Sequence, residues 1–188
     1  MSEPVERVLI VSDTHGELAA PIAALAGSAD WVLHAGDIGS VSVMRKLAVR
    51  AATAWVVGNN DTPEKWPQGD GAHLGSLPFK RRLKLAGGAI GMEHGDRCRQ
   101  GRSRHADLRA RWPDVRMVVY GHTHKLVLDC DSEPWVVNPG AAGATRVGAG
   151  ASCLLLRTCS GPWWIAAVRV LRGEQQLTPV EAIATWLA

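Results

Sequence analysis

Val8-Leu9-Ile10-Val11 runs almost directly into Asp13-Thr14-His15-Gly16, and this junction decides how the chain is read. Four consecutive branched apolar residues are the mark of a short strand buried on both faces. The turn after them carries a carboxylate and an imidazole two residues apart, with a glycine that lets the backbone bend sharply. The arrangement returns downstream. Asp30-Trp31-Val32-Leu33-His34 leads into Gly36-Asp37-Ile38-Gly39, and Ala54-Trp55-Val56-Val57 into Gly58-Asn59-Asn60-Asp61. Leu18 to Ala26, with Pro21 in its first turn, and Val41 to Arg50 read as helices. Strands that alternate with helices in this way argue for βαβ units and a parallel sheet with both faces covered.

Beyond residue 61 the pattern changes. Residues 62 to 78, with Pro63, Pro67 and Pro78 and nearby glycines, read as a loop. Phe79 to Leu85 and Ala89 to Glu93 read as two strands joined at Gly87-Gly88, a hairpin signal. Arg102 to Trp112 is a strongly basic helix, and Val115 to Tyr120 another buried strand. From Lys125 onward the chain is β-rich, with strands at Leu126 to Cys130, Trp135 to Val137, Ala151 to Arg157 and Trp163 to Val170. Parallel units followed by antiparallel ones predict an α/β fold of two packed sheets with helices outside. There is no repeat, low-complexity tract or linker, so a single domain over 1–188 is expected.

A chain of 188 residues is long enough to bury a full core. With 46% hydrophobic and 21% charged residues it reads as an ordinary globular protein. A net charge of +3 allows an acidic substrate without calling for nucleic acid. The four cysteines show no CxxC spacing and read as free thiols. The N-terminus lacks the basic and apolar regions of a signal peptide. The run from Pro162 to Leu171 is broken by Arg169 and too short to cross a bilayer. A cytoplasmic protein that does not engage membranes is expected, with a homo-oligomer left open.

Two more polar turns complete the chemistry: Glu93-His94-Gly95, and Gly121-His122-Thr123-His124 after the strand ending at Tyr120. All five polar clusters lie at carboxyl ends of strands, where ligands of α/β sheets sit. The side chains offered are Asp13, His15, Asp37, Asn59, His94, His122 and His124. This mixed N/O set suits Mn²⁺, Fe²⁺, Zn²⁺ or Co²⁺. Without a thiolate it is not a structural zinc site. Seven ligands are too many for one ion and fit two if a carboxylate bridges them. Any one such turn is usually a cap. Five in order, each after its own apolar strand, are not explained by capping.

In this order, DxH, GD, GNxD, HG and GHxH, the clusters resemble the signature of the calcineurin-like metallophosphoesterases. The short length and Asn138-Pro139-Gly140 followed by Arg146 resemble the small YfcE-like phosphodiesterases within that family. The resemblance runs from residue 7 to about 170 and implies four layers, two mixed sheets flanked by helices. It implies that Asp13, His15 and His124 hold one ion, that Asn59, His94 and His122 hold a second, and that Asp37 bridges them. The ions would lie roughly 3.5–4 Å apart, with a bridging hydroxide attacking a small or nucleotide-like phosphate ester. Two divalent ions are implied, Mn²⁺ foremost, with Ni²⁺ also in the range; Asp37, Asn59, His94 and His122 would carry the catalysis. The retromer scaffold subunit has the same fold and supplies the alternative reading, a non-catalytic interaction module. A nuclease ranks below both.

Two positions depart from the common pattern. Asn60 stands where many members have a histidine that protonates the leaving group, and an amide has no such proton to give. Asp96 stands where another histidine is common, and reads either as an acceptor orienting His94 or as a solvated turn residue. His34 reads as a packed core histidine, and His73 and His105 as surface residues. Arg97, Arg99, Arg102, Arg104, Arg109 and Arg111 crowd the segment after His94 and read either as a solvated helix face or as a rim that attracts anions. Arg97 and Arg99, with Asn60, are the expected substrate contacts.

Overall fold

The computed structural model describes residues 5–143, 150–171 and 177–188; Arg146 lies outside them. The first half is built from β1 (Glu6–Val11), α1 (Ala20–Ala26), β2 (Trp31–His34), α2 (Val41–Leu47) and β3 (Ala52–Trp55). There follow β4 (Lys80–Leu85), β5 (Gly88–Glu93), α3 (Arg104–Arg111), β6 (Met117–Val119), β7 (Leu126–Asp129), β8 (Trp135–Pro139), β9 (Ser152–Thr158), β10 (Trp164–Val170), β11 (Leu177–Thr178) and α4 (Val180–Leu187). One sheet has the order β11-β10-β9-β1-β2-β3, the other β4-β5-β6-β8-β7. The pairs β1–β2, β2–β3, β5–β6 and β6–β8 are parallel; β9 meets β1 antiparallel, and β4–β5 is an antiparallel hairpin.

Strand alternation sorts the core. Val8 and Ile10 pack with Leu33, Ala54 and Val56 against Leu83, Ile90, Met92, Met117 and Val137, filling the space between the sheets. Leu9 and Val11 point the other way, onto Ile22 and Leu25 of α1, Val43 and Leu47 of α2, and Trp186 of α4. Leu108 of α3 packs with Val118 and Val136 on the outer face of the second sheet. The result is the expected four layers, helices–sheet–sheet–helix. Ile10 is fully buried, so truncation to Ala would cost roughly 2–5 kcal/mol.

Several details differ from the sequence reading, among them α2 ending at Leu47 rather than Arg50 and β6 covering Met117–Val119 rather than Val115–Tyr120. Strand β3 starts at Ala52 rather than Ala54, because parallel pairing aligns Ala52 with Trp31 at the start of β2. Val57 has already left the ladder and donates to the Pro78 carbonyl at 3.0 Å. The loop after residue 61 contains a 3-10 turn over Asp70–Ser76. Helix α4 was not expected in a β-rich C-terminal half: it is one short apolar stretch after Pro179 without a side-chain cap, and its place is fixed by Trp186, which is buried and donates to the Leu156 carbonyl at 3.2 Å. The four cysteines are free, and no described helix is long and apolar enough to cross a membrane.

Candidate metal centre

All five polar turns meet where the carboxyl ends of the two sheets adjoin. Backbone hydrogen bonds stitch them: Asp13 N–H to the Gly36 carbonyl at 3.0 Å, His15 N–H to Asp37 at 2.9 Å, and Gly121 N–H to His94 at 2.9 Å. The His122 N–H donates to both Asp13 carboxylate oxygens, at 3.1 and 3.0 Å, across 109 residues of sequence.

The donor atoms form two overlapping groups. Asp13, His15 and His124 present atoms within 4.8 Å of one another, as do Asp13, Asp37 and His94. The His15 and His124 Nε2 atoms lie 3.1 Å apart, and His124 Nε2 is 3.3 Å from Asp13 Oδ1. Asp13 belongs to both groups, and Asp37 Oδ2 of the second, 3.3 Å from His94 Nε2, also reaches to 3.7 Å from His15 Nε2 of the first. Asn59 Oδ1 and His122 Nδ1 are 3.0 Å apart, and the His122 ring meets His94 edge-on with centroids 5.4 Å apart. All seven candidate ligands are therefore brought together.

His94 tests whether these residues suit a cation. Its Nδ1–H donates to the Ala35 carbonyl at 2.7 Å, which leaves Nε2 to face the carboxylates, and this fully buried Nε2 has no hydrogen-bond partner. A buried imidazole nitrogen that faces two carboxylates, with the other ring nitrogen held by a carbonyl, is placed as a metal ligand is. Ala35, not Asp96, therefore orients His94, and Asp96 lies 3.6 Å from Arg97.

Backbone strain falls on the same residues. Among the described residues the non-glycine positions with positive φ are Asp13, His15, Asp37, His122 and His124. Each such conformation costs on the order of 1–3 kcal/mol and persists only where the surroundings enforce it, a pattern typical of functional sites. Close approach explains two glycines. At Gly36, with φ of +91°, a Cβ would come 2.6 Å from His94 Nδ1, and at Gly58 it would run into the Asp37 carboxylate.

The electrostatics follow from burial and neighbours. Burial would raise the Asp37 carboxyl, but His94 and the Asn60 side-chain and backbone N–H groups hold it well below the ordinary range. Burial would lower His94, yet Asp37, Asp13 and the Ala35 carbonyl outweigh it and lift the ring to about 9. His122 is lowered, by burial and then by the charges of His94 and Arg104. Asp61 is pushed up, chiefly by burial.

The supporting residues carry much of the precision. The Asp61 carboxylate accepts from the N–H groups of Ile38 (2.8 Å), Gly39 (3.0 Å) and Gly58 (2.9 Å) and from the Trp66 indole (3.0 Å), fastening the Asp37 turn to the Asn59 turn. Asn60 clamps Asp37 through its backbone N–H (2.8 Å) and Nδ2 (2.7 Å), while its Oδ1 accepts from Lys65 Nζ at 2.6 Å. Asn138 donates to the Gly121 carbonyl (2.7 Å) and accepts from Gly140 N–H (2.9 Å), which gives the Asn-Pro-Gly motif a task in holding the His122 turn. Ser12 Oγ donates to Asp13 at 2.6 Å.

A cleft of about 350 Å³ opens over this centre, bounded by His15, Asp37, Gly39, Asn60, Asp61 and Lys65. Lys65 was missed in the sequence because it sits in a proline-rich loop outside any motif. The two expected arginines are exposed: the Arg97 guanidinium stacks 3.6 Å from the centroid of the Phe79 ring, and the Arg99 N–H donates to Asp107. Neither borders this cleft. His34 is the buried core histidine expected and His73 is exposed, but His105 is no free surface residue: Asp129 lies 2.7 Å from its Nδ1 and the Tyr120 hydroxyl 3.1 Å from its Nε2.

Two packed mixed sheets with an N/O donor cluster at their shared carboxyl edge define an α/β protein suited to divalent cations. A model of the calcineurin-like phosphoesterase superfamily domain matches residues 7–161, and the chain belongs to that superfamily. No curated protein matches it significantly. Solved structures share the fold. Vps29 from Chaetomium thermophilum superposes with a TM-score of 0.75 at 15% identity, over 92% of this chain and 93% of that one. Wild-type Vps29 from Entamoeba histolytica complexed with Zn²⁺ gives 0.71 at 22%, over 92% and 96%. An archaeal phosphodiesterase gives 0.64 at 18%, over 86% and 99%.

Proposed function

We propose that this chain is a two-metal phosphoesterase, foremost a phosphodiesterase acting on a small or nucleotide-like ester. The observation that carries the reading is the convergence of Asp13, His15, Asp37, His94 and His124 into two donor groups that share Asp13, with Asn59 and His122 paired beside them and the buried His94 Nε2 left to a ligand. Asp13, His15 and His124 would hold one divalent ion and Asn59, His94 and His122 the other, with Asp37 shared. Mn²⁺ heads the set, followed by Ni²⁺, Fe²⁺, Zn²⁺ and Co²⁺. When bound, such ions supply an activated water and neutralise charge building on phosphoryl oxygens.

The chain's own residues set the rest. Asn60 fixes the carboxylate of Asp37 and Asp61 holds the backbone of its turn, so the centre loses little freedom on loading. Lys65, at the rim of the cleft, offers an ammonium to an anionic ester. Asn60, whose amide donates to Asp37, has no proton for a departing alkoxide, which favours esters with acidic leaving groups.

The fold likeness to Vps29 supports a second reading, a non-catalytic scaffold. Purified full-length protein, stripped and reloaded with each ion, separates the two when assayed on bis(p-nitrophenyl) phosphate and p-nitrophenyl phosphate with metal content measured in parallel. Two ions per chain with metal-dependent turnover, faster on the diester, is the expected result. Two ions without turnover on either ester favours the scaffold; a folded protein that retains fewer than two overturns the two-metal reading.

A further inference from the structure

A second cleft, of about 270 Å³, lies against the His122–His124 turn, and its polar wall consists of Arg104, His105, Tyr120, Thr123 and Lys125. No acidic side chain lines it among the described residues. Asp129, the carboxylate that meets His105 of that wall, is already committed: it accepts from Arg109 at 2.6 Å and lies 2.7 Å from His105 Nδ1. Since a carboxylate only accepts, His105 Nδ1 bears the hydrogen, and in the neutral ring Nε2 accepts from the Tyr120 hydroxyl at 3.1 Å. This relay stiffens the wall and cancels its negative charge.

Arg104 is the unusual member. It is only 7% exposed, one Nη donates to Gln100, and its guanidinium lies 5.7 Å from the Tyr120 ring. Its Nε–H is buried without an acceptor. A buried cationic donor without an acceptor is costly, and an arginine so placed suits an anion with several oxygens. Two further donors share the cleft. The Thr123 hydroxyl accepts from Asn138 Nδ2 (3.1 Å) and Lys125 N–H (3.4 Å), which leaves its own proton to give, and the Lys125 ammonium is exposed at the rim. Three donors, two of them cationic, match the oxygens of a phosphate better than a single carboxylate.

Thr123 lies between His122 and His124, so the cleft begins one residue from candidate ligands of both ions. Consecutive Cα atoms are about 3.8 Å apart, so the cleft wall and the turn that carries the candidate ligands share one short backbone segment. We propose that this cleft is a subsite for a second phosphate carried by the ester substrate, bound by Arg104, Thr123 and Lys125. The inference rests on the phosphoesterase reading above and narrows it to substrates bearing a phosphate besides the scissile one.

The test uses two p-nitrophenyl esters of thymidine 5′-phosphate, one with a free 3′-hydroxyl and one with a 3′-phosphate, and the Mn²⁺-loaded full chain. A charge-assisted hydrogen bond contributes about 10–100-fold, so kcat/KM should favour the 3′-phosphorylated ester at least tenfold. In Lys125→Gln and in the charge-preserving Arg104→Lys that ratio should fall severalfold. A second readout does not depend on turnover. In the metal-free full chain, inorganic phosphate should shift the Arg104 Nε–H resonance saturably, and Lys125→Gln should weaken that titration. If neither ester is hydrolysed, the phosphoesterase reading fails while the titration still decides whether the cleft binds phosphate. A ratio near one in the wild type, a preference retained in both variants, or an unresponsive Arg104 resonance each overturns the subsite.

Discussion

His34 offers a quantitative test of how the centre is braced from below. It closes β2, is fully buried, stacks on Trp55 with centroids 5.6 Å apart, and places Nε2 2.9 Å from the Thr14 hydroxyl, between Asp13 and His15. Thr14 spends its own proton on the Ile38 carbonyl at 2.8 Å, so His34 Nε2 must carry the hydrogen. Burial, only partly offset by Asp13 and Asp37, lowers the ring from 6.5 to about 3. Above pH 6.5 both native and unfolded chains hold it neutral and it contributes nothing to the pH dependence. Below 6.5 the unfolded chain takes up a proton that the native ring refuses, and stability falls until about pH 3, where the native ring accepts it too. At 1.36 kcal/mol per pH unit, the loss by pH 5 is about 2 kcal/mol, or about 4–8 °C in Tm for a chain of this size. His34→Gln keeps an N–H donor and removes the titration. Urea unfolding of the metal-free proteins, followed by tryptophan fluorescence at pH 7 and pH 5, should show the wild type losing about 2 kcal/mol more than the variant. Using the difference cancels the other titrating groups. Equal losses would refute the reasoning.

Three further outcomes are expected. Asp37→Asn should lower turnover by about 10³-fold or more and reduce bound metal, since several kcal/mol of charge stabilisation depend on the ions it holds, whereas the exposed His73→Ala should leave both alone; elemental analysis beside steady-state kinetics reads this. Gly58→Ala would drive a methyl into the Asp37 carboxylate, so metal retention should drop while circular dichroism still reports the native secondary structure. Lys65→Met removes the ammonium bound to Asn60 and should lower kcat/KM for diesters roughly tenfold, the worth of one charge-assisted contact; an unchanged value would exclude Lys65 from the substrate cleft.

The supports of the centre show why it tolerates strain. Five candidate ligands sit at positive φ, and each is tied to another turn by bonds such as Asp61 to Gly58, Ile38 and Gly39 or Asn138 to Gly121. The order of the turns along the chain is thus converted into a rigid arrangement of donors before any ion arrives, which is the condition for tight and geometrically selective binding.

The amino-acid sequence by itself determined the features that are local. An apolar run followed by glycine and a polar ligand is a strand and its turn wherever it occurs, so β1, β2, the β4–β5 hairpin and all seven candidate donors were legible from spacing and residue type. Tertiary structure decided whatever depends on segments remote in the chain. Nothing near Asp13 announces that His122, 109 residues on, will donate to it, or that Asp13 will join both donor groups. Asp96 follows His94 by two residues, yet the carbonyl of Ala35, 59 residues away, accepts the hydrogen bond of His94 Nδ1–H. His105 looked like one more residue of a basic helix until Asp129 and Tyr120 closed on it, and Arg104 became a buried cation only because Tyr120 and Gln100 enclose it. Local periodicity encodes which face is buried; the partner of a buried polar atom is chosen by packing between layers, and the sequence holds no short-range record of that choice.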